Sequence, residues 1–100
     1  MMKPGSGDKK VKMLIQGLEL FELKRHTWAM VEAFGLNRRI ERYQGKRPIG
    51  LYRWDMDCLI VVVAMALNDS RDYPSSNTAE YQALKHLYVR MQEEYRRTFD

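Results

Sequence analysis

A chain of 100 residues, 45% hydrophobic and 30% charged, is long enough for one domain with one core and too apolar to be disordered. Its single cysteine, Cys58, excludes an internal disulfide and is typical of a reducing, cytoplasmic setting. The N-terminal residues lack the apolar segment that a signal peptide needs. We therefore expect a flexible tail over residues 1–7 and a single helical domain over residues 8–100.

Helical periodicity begins at Asp8, a suitable N-cap, after which two sets of apolar residues recur at spacings of three and four. These sets lie on nearly opposite sides, so the helix is either kinked near Gly17 or covered on both faces. We predict one long N-terminal helix that is buried against different partners at its two ends, with Gly35 as its left-handed cap. The first set is Val11, Leu14, Ile15, Leu18 and Phe21, and the second is Leu20, Leu23, Thr27, Met30 and Phe34.

All of the excess positive charge lies between Asn37 and Trp54, where six basic residues accompany the single acidic residue Glu41. Asn37 is a possible N-cap for a short helical turn over residues 38–43. The two glycines and the proline of residues 44–50 predict a loop. The six basic residues are Arg38, Arg39, Arg42, Lys46, Arg47 and Arg53.

Residues 58–67 contain no polar side chain other than the thiol of Cys58. A segment that is apolar all round must be covered on every side, and it is far shorter than the roughly 20 residues that span a membrane. The β-branched valines within it leave a strand as the alternative. Asp55 and Asp57 at its N-terminal end, where the helix dipole favours negative charge, instead predict a central helix over about residues 55–68.

The last quarter of the chain carries the clearest helical pattern. Asn77 and Glu80 resemble a capping box, and a stripe of large residues follows at spacings of three and four. This stripe and the second N-terminal set are long enough to enclose the central helix. The sequence therefore predicts an all-α fold, a small three- to four-helix bundle with the central helix between a long N-terminal helix and a C-terminal helix.

Patterns that carry catalysis or metal binding are missing. His26 and His86 lack a nucleophile in a suitable pattern, and Cys58 lies where a thiolate would be poorly stabilised. Glu19, Glu22 and His26 share a predicted helix face without the Glu-x-x-His spacing of di-metal bundles, so we interpret them as a solvated face. We expect no enzymatic activity, no metal site and no cofactor.

The aromatic residues of the C-terminal stripe have two interpretations. They can be core residues whose polar tips reach the surface. Alternatively they form a protein interface, since Tyr, Trp and Met are enriched at the centre of such surfaces, and the chain then acts as a homodimer or binds another protein. The candidate interface residues are Tyr81, Tyr88, Met91, Tyr95 and Trp28.

The basic segment is either a solvated loop or a surface that contacts nucleic-acid phosphates. Val-Glu-Ala-Phe-Gly-Leu-Asn at residues 31–37 and Arg-Ile-Glu-Arg-Tyr-Gln-Gly-Lys-Arg-Pro at residues 39–48, followed by an apolar helix, resemble the helix-turn-helix of phage-repressor-type regulators. The resemblance implies that residues 38–42 face the major groove and that Lys46 and Arg47 contact phosphates. The sequence thus predicts a cytoplasmic, non-enzymatic interaction protein that has no membrane partner. The alternative is a nucleic-acid-binding regulator.

Overall fold

A computed structural model describes residues 9–31 and 33–99. This part of the chain is mostly helical, with four α-helices and one two-stranded sheet. The predicted flexible tail and the proposed cap Asp8 lie outside the described residues. In chain order the elements are β1 (Lys10–Met13), α1 (Gly17–Lys24), a 3₁₀ turn (Thr27–Ala29), α2 (Leu36–Arg42), β2 (Ile49–Tyr52), α3 (Arg53–Leu67) and α4 (Ala79–Phe99).

The prediction of one long N-terminal helix is wrong, because a strand, β1, stands near the start of the described residues. In β1 the buried residues Val11 and Met13 alternate with exposed lysines, which is the period of a strand with one buried face. β1 pairs antiparallel with β2, so that Val11 lies opposite Leu51 and Met13 lies opposite Ile49. The all-α prediction is corrected accordingly: a small sheet packs beside the helices.

Two glycines fix the path that follows β1. Gly17, with φ of 58°, begins α1 in a left-handed conformation that favours glycine. Gly45, with φ of 73°, passes so close to the segment after β1 that a Cβ there would lie 2.9 Å from the carbonyl oxygen of Ile15. The Gln16 side-chain amide donates a hydrogen bond of 2.7 Å to the Gly45 carbonyl oxygen. The loop before β2 is therefore held against the end of β1.

The segment around Gly35 is only partly as predicted. Gly35 is left-handed, with φ of 74°, but it precedes α2 as its N-cap instead of ending a long helix. Asn37 therefore lies inside α2 and is not the cap. The predicted loop over residues 44–50 is present up to Pro48, after which β2 begins.

The helix predicted over about residues 55–68 is confirmed as α3, which begins two residues earlier than expected and ends at Leu67. Met56, Leu59 and Val63 on one side of α3 are fully buried in the core. α3 packs against α4, which also contacts α1. No described helix has both the length and the apolar composition needed to cross a membrane.

The predicted C-terminal helix is also confirmed, although its cap differs. α4 begins at Ala79, and the backbone N–H of Tyr81 donates to the Thr78 hydroxyl at 3.1 Å, so the Asn77–Glu80 capping box is not formed. Leu84, Leu87 and Met91 have no exposed surface and fill the space between α4 and its neighbours.

Adjacent valines of α3 provide a test of this packing. Val62 is 7% exposed, whereas Val61 is 57% exposed. We expect Val62→Asp to unfold the protein, since an unpaired buried carboxylate costs several kcal/mol in a domain whose total stability is about 5–15 kcal/mol. Val61→Asp should keep a helical far-ultraviolet circular dichroism spectrum and a cooperative urea transition. A folded Val62→Asp protein would contradict the placement of α3.

Candidate functional site

An apolar groove with a volume of about 620 Å³ lies between the 3₁₀ turn and α3. Two exposed residues of the N-terminal half form one wall, Trp28 and Val31, which are 76% and 74% exposed. Large apolar side chains on one surface of a small protein are unusual and often mark an interaction site. The other wall consists of the outward side chains of α3, namely Trp54, Val61 and Met65.

The α3 wall arises because this helix is apolar all round. Trp54, Cys58, Val61 and Met65 follow one another at spacings of four, three and four, which places them on one face. We call this face the α3 seam. The opposite side of α3 is buried in the core, but Val61 and Met65 remain 57% and 66% exposed. The sequence requires cover on every side of this helix, and the described chain covers only part of it.

The Trp54 indole is held in place at the N-terminal end of the seam. Its ring stacks on that of Tyr52, with centroids 4.9 Å apart and an interplanar angle of 13°. The ammonium group of Lys10 in turn lies 5.3 Å from the Tyr52 ring centroid. An aromatic side chain that is already ordered loses little conformational entropy when a partner covers it.

Charged residues also line the groove, and they are Asp57 on α3, between Trp54 and Val61, and Asp69, Arg71 and Asp72 in the loop after α3. Asp57 stands near the N-terminal end of α3, with no ion-pair partner among the described residues. At the C-terminal end, the Arg71 guanidinium donates to both carboxylate oxygens of Asp69, at 3.1 and 3.0 Å. These hydrogen bonds lower the pKa of Asp69. Arg71 is nevertheless 89% exposed at its side chain, so its charge is available to a second contact.

A buried polar network supports the floor of the groove. The Tyr73 hydroxyl donates to Glu22 Oε1 at 2.6 Å, and its oxygen lies 2.9 Å from His26 Nε2. Because the hydroxyl proton is committed to Glu22, the imidazole must donate from Nε2. Arg25 pairs with the same carboxylate oxygen at 2.7 Å. Glu22 and His26 are 1% and 3% exposed, so the prediction of a solvated helix face is wrong for both residues.

The predicted interface residues are only partly brought together. Trp28 lies in the groove, but Tyr81, Tyr88 and Tyr95 are half-buried against the core, and Met91 has no exposed surface. The large apolar groove residues outside the predicted interface set are Val31, Trp54, Val61 and Met65. Their apolar character was visible, but their exposure depends on which neighbours pack against them.

The six basic residues of the central segment divide into two groups. Arg39 donates to Asp55 Oδ2 at 2.8 Å and to the Gly50 carbonyl oxygen, and Arg53 donates to the Tyr95 hydroxyl at 3.1 Å. These two arginines therefore stabilise the fold. The other four are exposed and have no ion-pair partner among the described residues: Arg38, Arg42, Lys46 and Arg47.

A second concave surface, which we call the basic cleft, lies beside this exposed group. It has a volume of about 550 Å³ between the end of α2 and β2, and its lining includes Arg42, Lys46 and Arg47. The arrangement is unlike a helix-turn-helix, because α2 has seven residues and follows a 3₁₀ turn instead of a first helix. The cleft can hold anions, but α2 does not have the setting of a recognition helix.

No metal-binding cluster of His, Cys, Asp and Glu occurs within residues 9–31 and 33–99. Glu19 instead bonds to His86 Nδ1 at 2.7 Å and pairs with Arg90 at 2.6 Å, which joins α1 to α4. Comparison with known proteins adds no assignment: no family model, curated protein or solved structure matches the chain. The groove and the basic cleft are therefore interpreted from their own geometry.

The buried imidazole predicts a dependence of stability on pH. Burial lowers the pKa of His26 against the raising influence of Asp72, Glu22 and Asp69, and Arg25 lowers it further. The unfolded chain accepts a proton near the ordinary pKa of about 6.5, while the folded chain resists it. The stabilising contribution of neutral His26 is therefore present above that pH and is lost as the pH falls.

Urea denaturation between about pH 7.5 and about pH 5.5 measures this loss as a decrease in the free energy of unfolding. We expect His26→Gln to be less stable than the unmodified chain at the upper pH and to lose less stability on acidification. His86→Gln, which removes the exposed histidine, is the matched control and should retain the pH-dependent loss. If acidification lowered the free energy of unfolding equally in His26→Gln and in the unmodified chain, the pH dependence would not come from His26.

Proposed function

We propose that this chain is a non-enzymatic interaction protein whose groove binds an apolar helical face of another polypeptide. The observation that carries the proposal is the incomplete cover of α3, a helix that is apolar all round and yet exposes Val61 and Met65. Exposed apolar area of this kind is favourable to bury, at about 25 cal/mol per Å². A helix from a second polypeptide would complete the cover that the chain itself lacks.

The composition of the groove supports a protein partner. Two tryptophans and a methionine line it, and these residue types are enriched where protein interfaces are fully desolvated. Most of its large lining side chains are apolar, and charged groups of α3 and of the following loop lie beside them, as in a protein interface that combines apolar and polar contacts.

Three further observations support the helix bundle, the non-enzymatic action and the cytoplasmic location that we propose. We take α1, α3 and α4 as a three-helix bundle, because α4 contacts both of the others. Non-enzymatic action is supported by the commitment of His26 Nε2 to Tyr73 within a buried network. A cytoplasmic location is supported by the buried thiol of Cys58, the single cysteine of the chain.

Site-specific photo-cross-linking in living cells tests this function. A benzophenone amino acid at position 61 lies in the groove, and the same group at position 89 replaces Val89, a 40% exposed apolar residue of α4 outside the groove. We expect a discrete protein adduct from position 61, its loss when Met65→Asp is added, and no such adduct from position 89. Absence of an adduct at position 61, or the same adducts from both positions, would contradict the proposal.

A second candidate function is contact with nucleic-acid phosphates through the basic cleft. Four exposed cations within residues 38–47 that lack acidic partners among the described residues favour it, because unneutralised positive charges repel one another until an anion binds. A phosphate backbone supplies a row of such anions and releases condensed counterions when it binds.

Binding to duplex DNA at several salt concentrations tests the second candidate. We expect affinity that falls steeply with salt, and Arg42→Gln with Lys46→Gln should lower it about 10-fold at low salt and reduce the salt slope by about 2. Lys85→Gln with Arg96→Gln removes the same charge from exposed positions on α4 and is the matched control. If the two double variants lowered DNA affinity equally, binding would depend on the net charge of the protein and not on the basic cleft.

A further inference from the structure

We infer that the occupant of the groove is a basic amphipathic helix of another protein, whose apolar stripe is flanked by lysine or arginine side chains. This inference rests on the proposed function and names the chemistry of its partner. The groove presents both surfaces that such a helix needs, namely large exposed apolar side chains and carboxylates beside them. An amphipathic helix that lays its apolar stripe into a groove is a recurring mode of protein recognition.

The charged side chains of the groove are mainly acidic. Three carboxylates and one guanidinium line it, those of Asp57, Asp69, Asp72 and Arg71, which gives a net charge of −2. The Arg71 guanidinium is already bound to both carboxylate oxygens of Asp69, so this pair adds no net charge. The negative charge of the groove therefore comes from Asp57 and Asp72.

Asp72 retains its charge although an arginine lies near it. Arg25 Nη2 is 3.7 Å from Asp72 Oδ1, while Arg25 Nη1 pairs with Glu22 Oε1 at 2.7 Å. One guanidinium thus serves two carboxylates, and the three groups together carry one negative charge. The Asp72 side chain is also 35% exposed, so it can accept a hydrogen bond from a cation of the partner.

Asp57 lies next to the apolar side chains that the partner would cover. It follows Trp54 by three residues and precedes Val61 by four, which places all three on one side of α3. Arg96 of α4 lines a neighbouring hollow with Asp57 but forms no ion pair with it. A cation at the margin of an apolar stripe packed on Val61 can therefore pair with Asp57, and the Trp54 ring face favours a cation as well.

His26 adds a neutral acceptor to the lining of the groove. Its Nε2 donates to the Tyr73 hydroxyl oxygen, so the neutral ring carries its lone pair on Nδ1. No described residue donates a hydrogen bond to Nδ1. Asp57, Asp72 and His26 thus all offer acceptors, and lysine and arginine are the side chains that bring only donors.

The same charges disfavour other occupants. The phosphates of a nucleic acid or of an anionic lipid surface would be repelled by Asp57 and Asp72. A second copy of this chain placed groove to groove would bring the same carboxylates together. The basic amphipathic helix is the occupant that covers the apolar side chains and also neutralises the carboxylates.

Binding of two synthetic peptides to the full chain tests the inference. Both peptides are about 18 residues long and share a leucine stripe at spacings of three and four, but one carries lysine and the other glutamate at the remaining positions. We expect the lysine peptide to bind at least about 10-fold more tightly at low salt, with an advantage that falls as salt is added. The net charge of +4 on the chain would by itself attract the glutamate peptide, so this preference requires a local acidic site. Equal affinities, or tighter binding of the glutamate peptide, would overturn the inference.

Removal of the two carboxylates locates the binding site. Asp57→Asn with Asp72→Asn should lower the affinity for the lysine peptide about 10-fold. Asp57→Asn alone, which leaves the buried network untouched, should lower it about 3-fold. Glu80→Gln with Glu93→Gln removes the same charge from exposed positions on α4 outside the groove and should have little effect. Circular dichroism and urea denaturation establish that each variant is folded. Equal weakening by the two pairs would place the lysine peptide elsewhere and overturn the inference.

Val61→Ser should also weaken binding of the lysine peptide about 10-fold, because it removes apolar contact, and Val89→Ser on α4 should not. If the lysine peptide has no advantage but position 61 still cross-links to a protein in cells, the basic character of the partner is wrong while the interaction function stands. A dimer in sedimentation equilibrium that Val61→Ser dissociates would identify a second copy as the occupant and would likewise overturn the inference.

Discussion

The buried carboxylate of Asp55 ties together the elements that position both candidate surfaces. It has no exposed surface, accepts the backbone N–H of Tyr52 at 3.0 Å, and pairs with Arg39 at 2.8 Å. Arg39 also donates to the carbonyl oxygen of Gly50. One guanidinium and one carboxylate thus join α2, β2 and the first turn of α3. A buried ion left without its partner is strongly destabilising, so these elements hold one arrangement.

This arrangement decides which face of α3 remains exposed. Since α3 follows β2 without a loop, fixing the strand also fixes the rotation of the helix about its axis. Met56, Leu59 and Val63 then enter the core, and the seam turns outward beside Trp28. The groove therefore does not result from loose packing of α3 against the rest of the fold. It is the remaining side of a helix whose orientation is set by a buried ion pair and a strand.

How far the sequence predicts this structure depends on the range of the interactions involved. α3 and α4 are predicted because their patterns are continuous and local. The N-terminal strand is not, since Val11 and Met13 suit a strand only once Ile49 and Leu51 are known to lie opposite them. The groove has the same limitation. Trp28 is found by its residue type, whereas the exposure of Val61 against the burial of Val62 depends on tertiary packing.

The basic segment shows the same limit for charge. Arg38 and Arg39 are adjacent and chemically identical, yet the turn of α2 directs one to solvent and the other to Asp55. Only basic side chains that make no ion pair within the fold can contribute to binding a phosphate backbone. The groove and the basic cleft have different lining residues, so a partner in the groove would leave the cleft accessible.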